Sequence, residues 1–157
     1  MTPRAAAVER AFAAQDALLT ALRAREEFTA SGVGLGPPVG TRPEAAWVSC
    51  SFEGDMSPEA SDLSQFESSV ELAAAIALTE HFGLKADGTP DEDWTALRGR
   101  LAVRVSAVEH VLEADPFLGG TCSLAWVSKV TVREGLVDAK QVRLSAAVIV
   151  QAKQYLR

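Results

Sequence analysis

Trp94-Thr-Ala-Leu-Arg-Gly-Arg-Leu-Ala-Val-Arg-Val-Ser-Ala-Val-Glu-His-Val-Leu-Glu-Ala-Asp-Pro-Phe-Leu-Gly-Gly120 is the stretch whose reading decides the fold. Trp94, Leu97, Leu101, Val105, Val108 and Leu112 recur at spacings of three or four. That is the period of a helix lying on something flat. Upstream, Thr89-Pro90-Asp91-Glu92 reads as the helix start. Thr89 serves as N-cap, Pro90 suits the first helical position, Asp91, Glu92 and Asp93 sit at the positive end of the dipole, and Glu92 completes a capping box. The helix is predicted to run to about Ala114 and to stop at Pro116. Two strand-like segments follow, 125–134 and 141–152, joined by a loop over 135–139. Strands joined in this way are antiparallel neighbours, and they supply the flat surface.

Outward from this core, residues 3–28 read as an alanine-rich helix. Its predicted stripe is Val8, Phe12, Leu19 and Leu22, interrupted by Gln15. Residues 31–44 carry four of the 11 glycines and three of the seven prolines, with 32–36 readable as a short strand. Residues 47–52 form a strand pattern that places Val48, Cys50 and Phe52 on the core face and Trp47, Ser49 and Ser51 on the other. The polar stretch 54–65 reads as an exposed loop. Residues 66–80 favour a long strand because alternation is sustained, although the alanines also permit a helix. The runs of elements predict an α+β fold: an antiparallel or mixed sheet packed by two helices, the N-terminal one and the one near 90–114, in a single domain over 1–157.

The bulk numbers narrow the function. A chain of 157 residues can bury roughly 68–70% of its unfolded surface and needs no metal or disulfide staple. A net charge of −6 argues against a protein whose main task is to grip phosphates. Cys50 and Cys122 read as reduced thiols in apolar strand surroundings, with no second ligand at metal spacing. The N-terminus lacks the apolar run of a secretory signal, and no segment approaches the ~20 apolar residues of a membrane span. The expectation is a soluble protein made in the cytoplasm.

No catalytic constellation emerges. His81 and His110 fall in different elements, and no Gly-x-Ser-x-Gly elbow is present. The acidic run at 91–93 reads as helix capping. Asp55, Glu59 and Asp62 lack the glycine and spacing of a calcium loop. The glycines at 32, 34 and 36 are followed by Pro37-Pro38, which prevents a phosphate-cradling helix. Arg98, Arg100 and Arg104 read as a solvated helix face or as salt bridges to a neighbouring subunit. Trp47 and Trp126 each adjoin a valine in a strand, so one of each pair faces away from the core, where an aromatic often marks an interface.

The run Arg104-Val-Ser-Ala-Val-Glu-His-Val-Leu-Glu-Ala-Asp-Pro-Phe-Leu-Gly-Gly120 resembles tail terminator proteins of long-tailed bacteriophages. Those carry a helix ending in "aL-x-x-D-p-x-L-g-G", then a strand, a loop and a closing strand. Here Leu112, Asp115, Pro116, Leu118, Gly119 and Gly120 match. The insertion at 54–65 and the long segment 66–80 depart from that layout. The resemblance implies a structural virion protein at the tail–neck junction, assembled in the host cytoplasm, with no enzymatic activity and no cofactor or metal. It implies a ring, usually a homohexamer, that caps the tail tube, stops its polymerisation and offers the surface for the head. The implied partners are further copies of the chain, the major tail tube protein and a head-completion or neck protein. DNA passes through the lumen without specific binding, and no membrane is involved. A head-closure or tail-completion protein is the nearest alternative, and a small ligand-binding domain or enzyme the one from another class. The expected interface segments are 34–42, 54–65, 117–122 and 135–139, with Trp47, Asp55, Glu59, Asp62, Phe117, Leu118 and Trp126 as candidate interface residues.

Overall fold

The structure is a computed structural model and describes residues 3–38, 43–53, 66–81, 86–88, 94–138 and 141–156. The expected helix start at 89–92, the loop 54–65 and residues 39–42 lie outside the described residues. The chain order is α1 (Pro3–Arg23), a 3-10 turn (Glu26–Phe28), β1 (Glu44–Glu53), β2 (Phe66–His81), α2 (Trp94–Ala114), β3 (Leu124–Asp138) and β4 (Gln141–Leu156). The strands form one sheet in the order β1-β2-β4-β3, every pair antiparallel. The expected α+β architecture is therefore present, with a purely antiparallel sheet. No described helix is long and apolar enough to cross a membrane.

Segment 66–80, which its alanines left open to a helix, is strand β2, paired with β4 from Phe66↔Leu156 to His81↔Gln141. β2 and β3 run parallel with β4 between them, so the chain must travel back along the sheet before β3 can begin. α2 makes that return: its 21 residues span about 32 Å.

The alternation in each strand sends one set of side chains to the helices. Val48, Val70, Leu72, Ile76, Leu78, Leu144, Val148 and Val150 are almost fully buried there. The α2 stripe behaves as its spacing predicts: Leu97, Leu101, Val108 and Leu112 are buried, and Trp94 and Val105 pack at the edge of the core.

α1 differs from its expected face. Val8 and Phe12 are 38% and 54% exposed, and the buried line is Ala7, Ala11, Ala14, Leu18 and Leu22, with Leu19 beside it. Moving one residue along a helix turns the face by about 100°, and the alanines let the helix axis approach the sheet where a valine or phenylalanine would hold it off. Gln15, the expected interruption, is itself buried and donates its Nε2 to the Val48 carbonyl at 2.9 Å. β1 is an edge strand, so its outward carbonyls need partners from outside the ladder. Its outward amide at Val48 donates to the Gly34 carbonyl at 2.9 Å, and the Gly34 amide donates to Ala46 at 3.0 Å. The expected short strand at 32–36 reduces to this single parallel bridge.

The arginines of α2 are tied to their own sheet. Arg98 bonds Glu134 on β3, Arg100 reaches Glu80 on β2, and Arg104 bonds Glu44 on β1 at 2.6 Å. Arg98 and Arg100 remain on the solvated face that the sequence predicts, and Arg104 departs from it by turning beneath the helix to Glu44. Arg104 is the buried member of the set.

The expected loop 135–139 is also revised. β3 continues to Asp138, pairing Gly135↔Arg143 and Leu136↔Val142, with irregularities after Val127 and Leu136 that absorb extra residues. Gly135 weakens a strand in isolation, yet the partner residues of β4 extend the ladder past it.

Replacing Gln15 with Leu should destabilise the fold by about 1–3 kcal/mol in urea titration, because the Val48 carbonyl loses its partner. Arg104→Ala should cost about 2–3 kcal/mol, somewhat below a fully enclosed pair, since Glu44 is left with its charge under the helix. Arg98→Ala, at an exposed pair, should leave the transition almost unmoved.

Candidate interaction surface

Two features carry the candidate interface residues that are described: the turn after α2 and the sheet face turned away from the helices. The turn begins at Asp115, whose amide still completes the helix by bonding the Val111 carbonyl at 3.0 Å. Its carboxylate accepts from the amides of Phe117 at 3.2 Å and Gly119 at 2.6 Å. Leu118, Gly119 and Gly120 then take φ values of +45°, +66° and +81°. Glycine accepts such values freely, whereas a leucine at positive φ is strained. The strain is offset by burial, since Leu118 is only 2% exposed and lies in the core. Backbone bonds from Cys122 to Phe117 and from Ala125 to Pro116 close the turn and launch β3.

This geometry separates two expected interface residues. Phe117 is 52% exposed and presented to solvent, whereas Leu118 anchors the turn from beneath and offers no surface. Gln154, near the end of β4, holds the turn from the other side by donating to the carbonyls of Thr121 and Arg10. Next to the turn, α1 and α2 border a groove of about 580 Å³, floored by alanines, Val111 and Leu118, with Asp16, Arg25, His110 and Asp115 at its margin.

Trp47 and Trp126 share the open face of the sheet. Trp47 lies opposite Ala75, which is level with Ala147 and then Thr131. Trp126 lies opposite Gln151, which is level with Glu71 and then Ser51. The tryptophans therefore stand on the two edge strands, about 14 Å apart across the strands and four residues, about 13 Å, apart along them. Trp47 is partly covered, and Trp126 and Leu124 on the same face are 37% and 47% exposed. One signal for this face lies in the sequence: residues 72–78 of β2 are apolar at both parities, which is the pattern of a strand covered on both sides. The placement of both tryptophans on one face, at opposite edges of the sheet, had no such signal.

Asp55, Glu59 and Asp62 lie outside the described residues. Among the described residues no group of three or more His, Cys, Asp or Glu is placed to hold a metal ion. Cys50 and Cys122 are free, and burial raises both thiols above the ordinary range, which keeps them protonated and weakly nucleophilic at neutral pH. His110 stands exposed at the margin of the groove. Compared with known proteins, the chain matches no family model, and no curated protein matches it in sequence.

Substituting Asp115 with Ala removes two acceptors from a turn that contains a left-handed leucine. The expected outcome is a loss of about 1–2 kcal/mol in thermal or urea unfolding, with faster amide exchange at Phe117 and Gly119 than anywhere in β2.

Proposed function

We propose that this chain is a tail terminator of a long-tailed bacteriophage, a structural subunit that closes into a ring, usually a homohexamer, on the finished tail tube. The observation that carries the reading is the segment 104–120. Its matching residues Leu112, Asp115, Pro116, Leu118, Gly119 and Gly120 act together as one device: a helix end, a carboxylate-capped turn and a left-handed exit into β3. Such a device sets the angle at which the helix hands over to the sheet and leaves Phe117 outward.

The surface supports an assembly role. Apolar side chains remain exposed on α1 at Phe12, on the turn at Phe117 and along β3 at Leu124, Trp126, Val130 and Val132. A subunit of a closed ring needs two different patches, one for each neighbour, and further surface for the tube and the neck protein. The net charge of −6 suits a lumen that lets DNA pass without retaining it. On this reading the protein resides at the tail–neck junction of the virion and performs no catalysis. The groove between α1 and α2 is the feature a small ligand-binding domain would use, and it favours that second reading if the first fails.

The test is the mass of the purified chain by light scattering, alone and with tail tubes. A ring, or a monomer that becomes a ring on tube ends and halts tube growth, is expected. A chain that ignores tubes at every concentration overturns the reading.

A further inference from the structure

The open face of the sheet is apolar where a water-facing sheet alternates to polar residues. Ala73 and Ala75 on β2 and Ala147 and Ile149 on β4 lie there, on the side away from the helices. A strand that is apolar at both parities is built to be covered on both faces, yet these four positions stay partly open to solvent. The charge of the face is one-sided. Lys129, Arg133 and Arg143 stand exposed on β3 and β4, and Lys153 stands partly exposed near the far end. Lys129, Arg133 and Arg143 have no carboxylate partner among the described residues. Glu71 is the one acidic side chain described on this face, and it accepts from the Gln151 amide.

On the opposite side of the molecule, α1 presents the complementary character. Val8, Phe12 and Asp16 follow one another at four-residue spacing and so share one side of the helix. Glu9 lies three before Phe12 and joins that side, whereas Arg10 lies two before Phe12 and falls elsewhere. Val8, Glu9, Phe12 and Asp16 are all exposed, while the line Ala7, Ala11, Ala14 and Leu18 is buried against the sheet. Glu9 and Asp16 have no cationic partner among the described residues. The helix therefore carries an apolar pair outside its core face, flanked by two free carboxylates.

We infer that the exposed side of α1 in one copy packs on the open sheet face of the next copy, head to tail. Val8 and Phe12 then lie over the small residues Ala75 and Ala147, and Glu9 and Asp16 meet Lys129 and Arg133. The spacings agree. Glu9 and Asp16 are seven helical residues apart, about 10.5 Å. Lys129 and Arg133 are four strand residues apart, about 13 Å, a difference that long basic side chains absorb. Alanines on the sheet let a helix approach closely, as the alanines of α1 do on the core face. A polyanion such as DNA would engage the same cations but would leave the apolar middle of the face uncovered. The two surfaces lie on opposite sides of one chain, so each copy uses both at once. Such a contact is heterologous and gives a ring when its rotation closes. The inference rests on the terminator reading for that closure, whereas the head-to-tail contact follows from the two surfaces alone.

The experiment uses the full chain, with mass followed by sedimentation and light scattering over a concentration series, alone and with tail tubes. Folding is checked by circular dichroism. The unaltered chain is expected to assemble beyond a dimer, in solution or on tube ends. Phe12→Glu blocks the helix side and Ala147→Glu the sheet side, and each should weaken self-assembly at least tenfold. An equimolar mixture of these two should stop at a one-to-one dimer, because it holds one intact surface of each kind able to meet. Lys129→Glu with Arg133→Glu, and separately Glu9→Lys with Asp16→Lys, should each weaken self-assembly about tenfold, and their mixture should assemble again. Recovery on mixing is the decisive expected result, because a misfolded variant cannot give it. The inference is overturned if folded Phe12→Glu or Ala147→Glu assembles as before, or if neither mixture recovers. It is also overturned if the chain stays monomeric with and without tubes, including when a short DNA duplex binds it through the same cations. Rings that ignore these substitutions but cap tubes overturn the helix-on-sheet contact and spare the terminator reading. Head-to-tail assemblies that respond to the substitutions but ignore tubes do the reverse.

Discussion

The antiparallel ladder between β2 and β4 is the constraint from which the rest of this molecule follows. It is the longest pairing in the sheet, running from Phe66↔Leu156 to His81↔Gln141 without a register break. Slipping it by one residue would turn Leu72, Ile76, Leu78, Leu144, Val148 and Val150 away from the helices together. That penalty locks the register, and the register in turn decides which side chains form the core, which form the open face, and where both edge strands must attach.

The helices are fitted to this ladder by two different means. α1 approaches through alanines and uses Gln15 to satisfy an edge carbonyl, so its close packing depends on small residues and one buried amide. α2 presents larger aliphatic side chains and is tied down near its start by pairs to three strands. Exposed pairs contribute little to stability. Arg104 with Glu44 is the one that matters energetically, because both groups lie largely under the helix. The Asp115 turn then fixes where α2 stops, with Leu118 held in a strained conformation by its own burial.

Apolar surface remains on the outside of the folded chain. It is spread over Val8 and Phe12 on α1, Leu35, Val103 on α2, Phe117 in the turn and several positions of β3, while the described titratable groups form no metal-binding group.

Local periodicity made much of this architecture legible. The stripe of α2 and the core parity of β1, β2 and β4 follow from residues three, four or two apart, whose relative positions are set by backbone geometry alone. The Asp115-Pro116 stop and the following glycines are equally local. Four things depended on distant segments. The face of α1 was set by how closely alanines let it approach β1, against the hydrophobic ranking that favours Val8 and Phe12. The arginines of α2 found their partners only because three strands bring Glu44, Glu80 and Glu134 beneath one helix. β3 outran its expected end at Glu134 because β4 offered partners beyond it. Leu118 went to the core while Phe117 stayed outside, and Trp47 and Trp126 came to the same face at opposite edges of the sheet, through pairings between residues far apart in the chain. Such pairings depend on register and packing across the whole sheet, which no local pattern encodes.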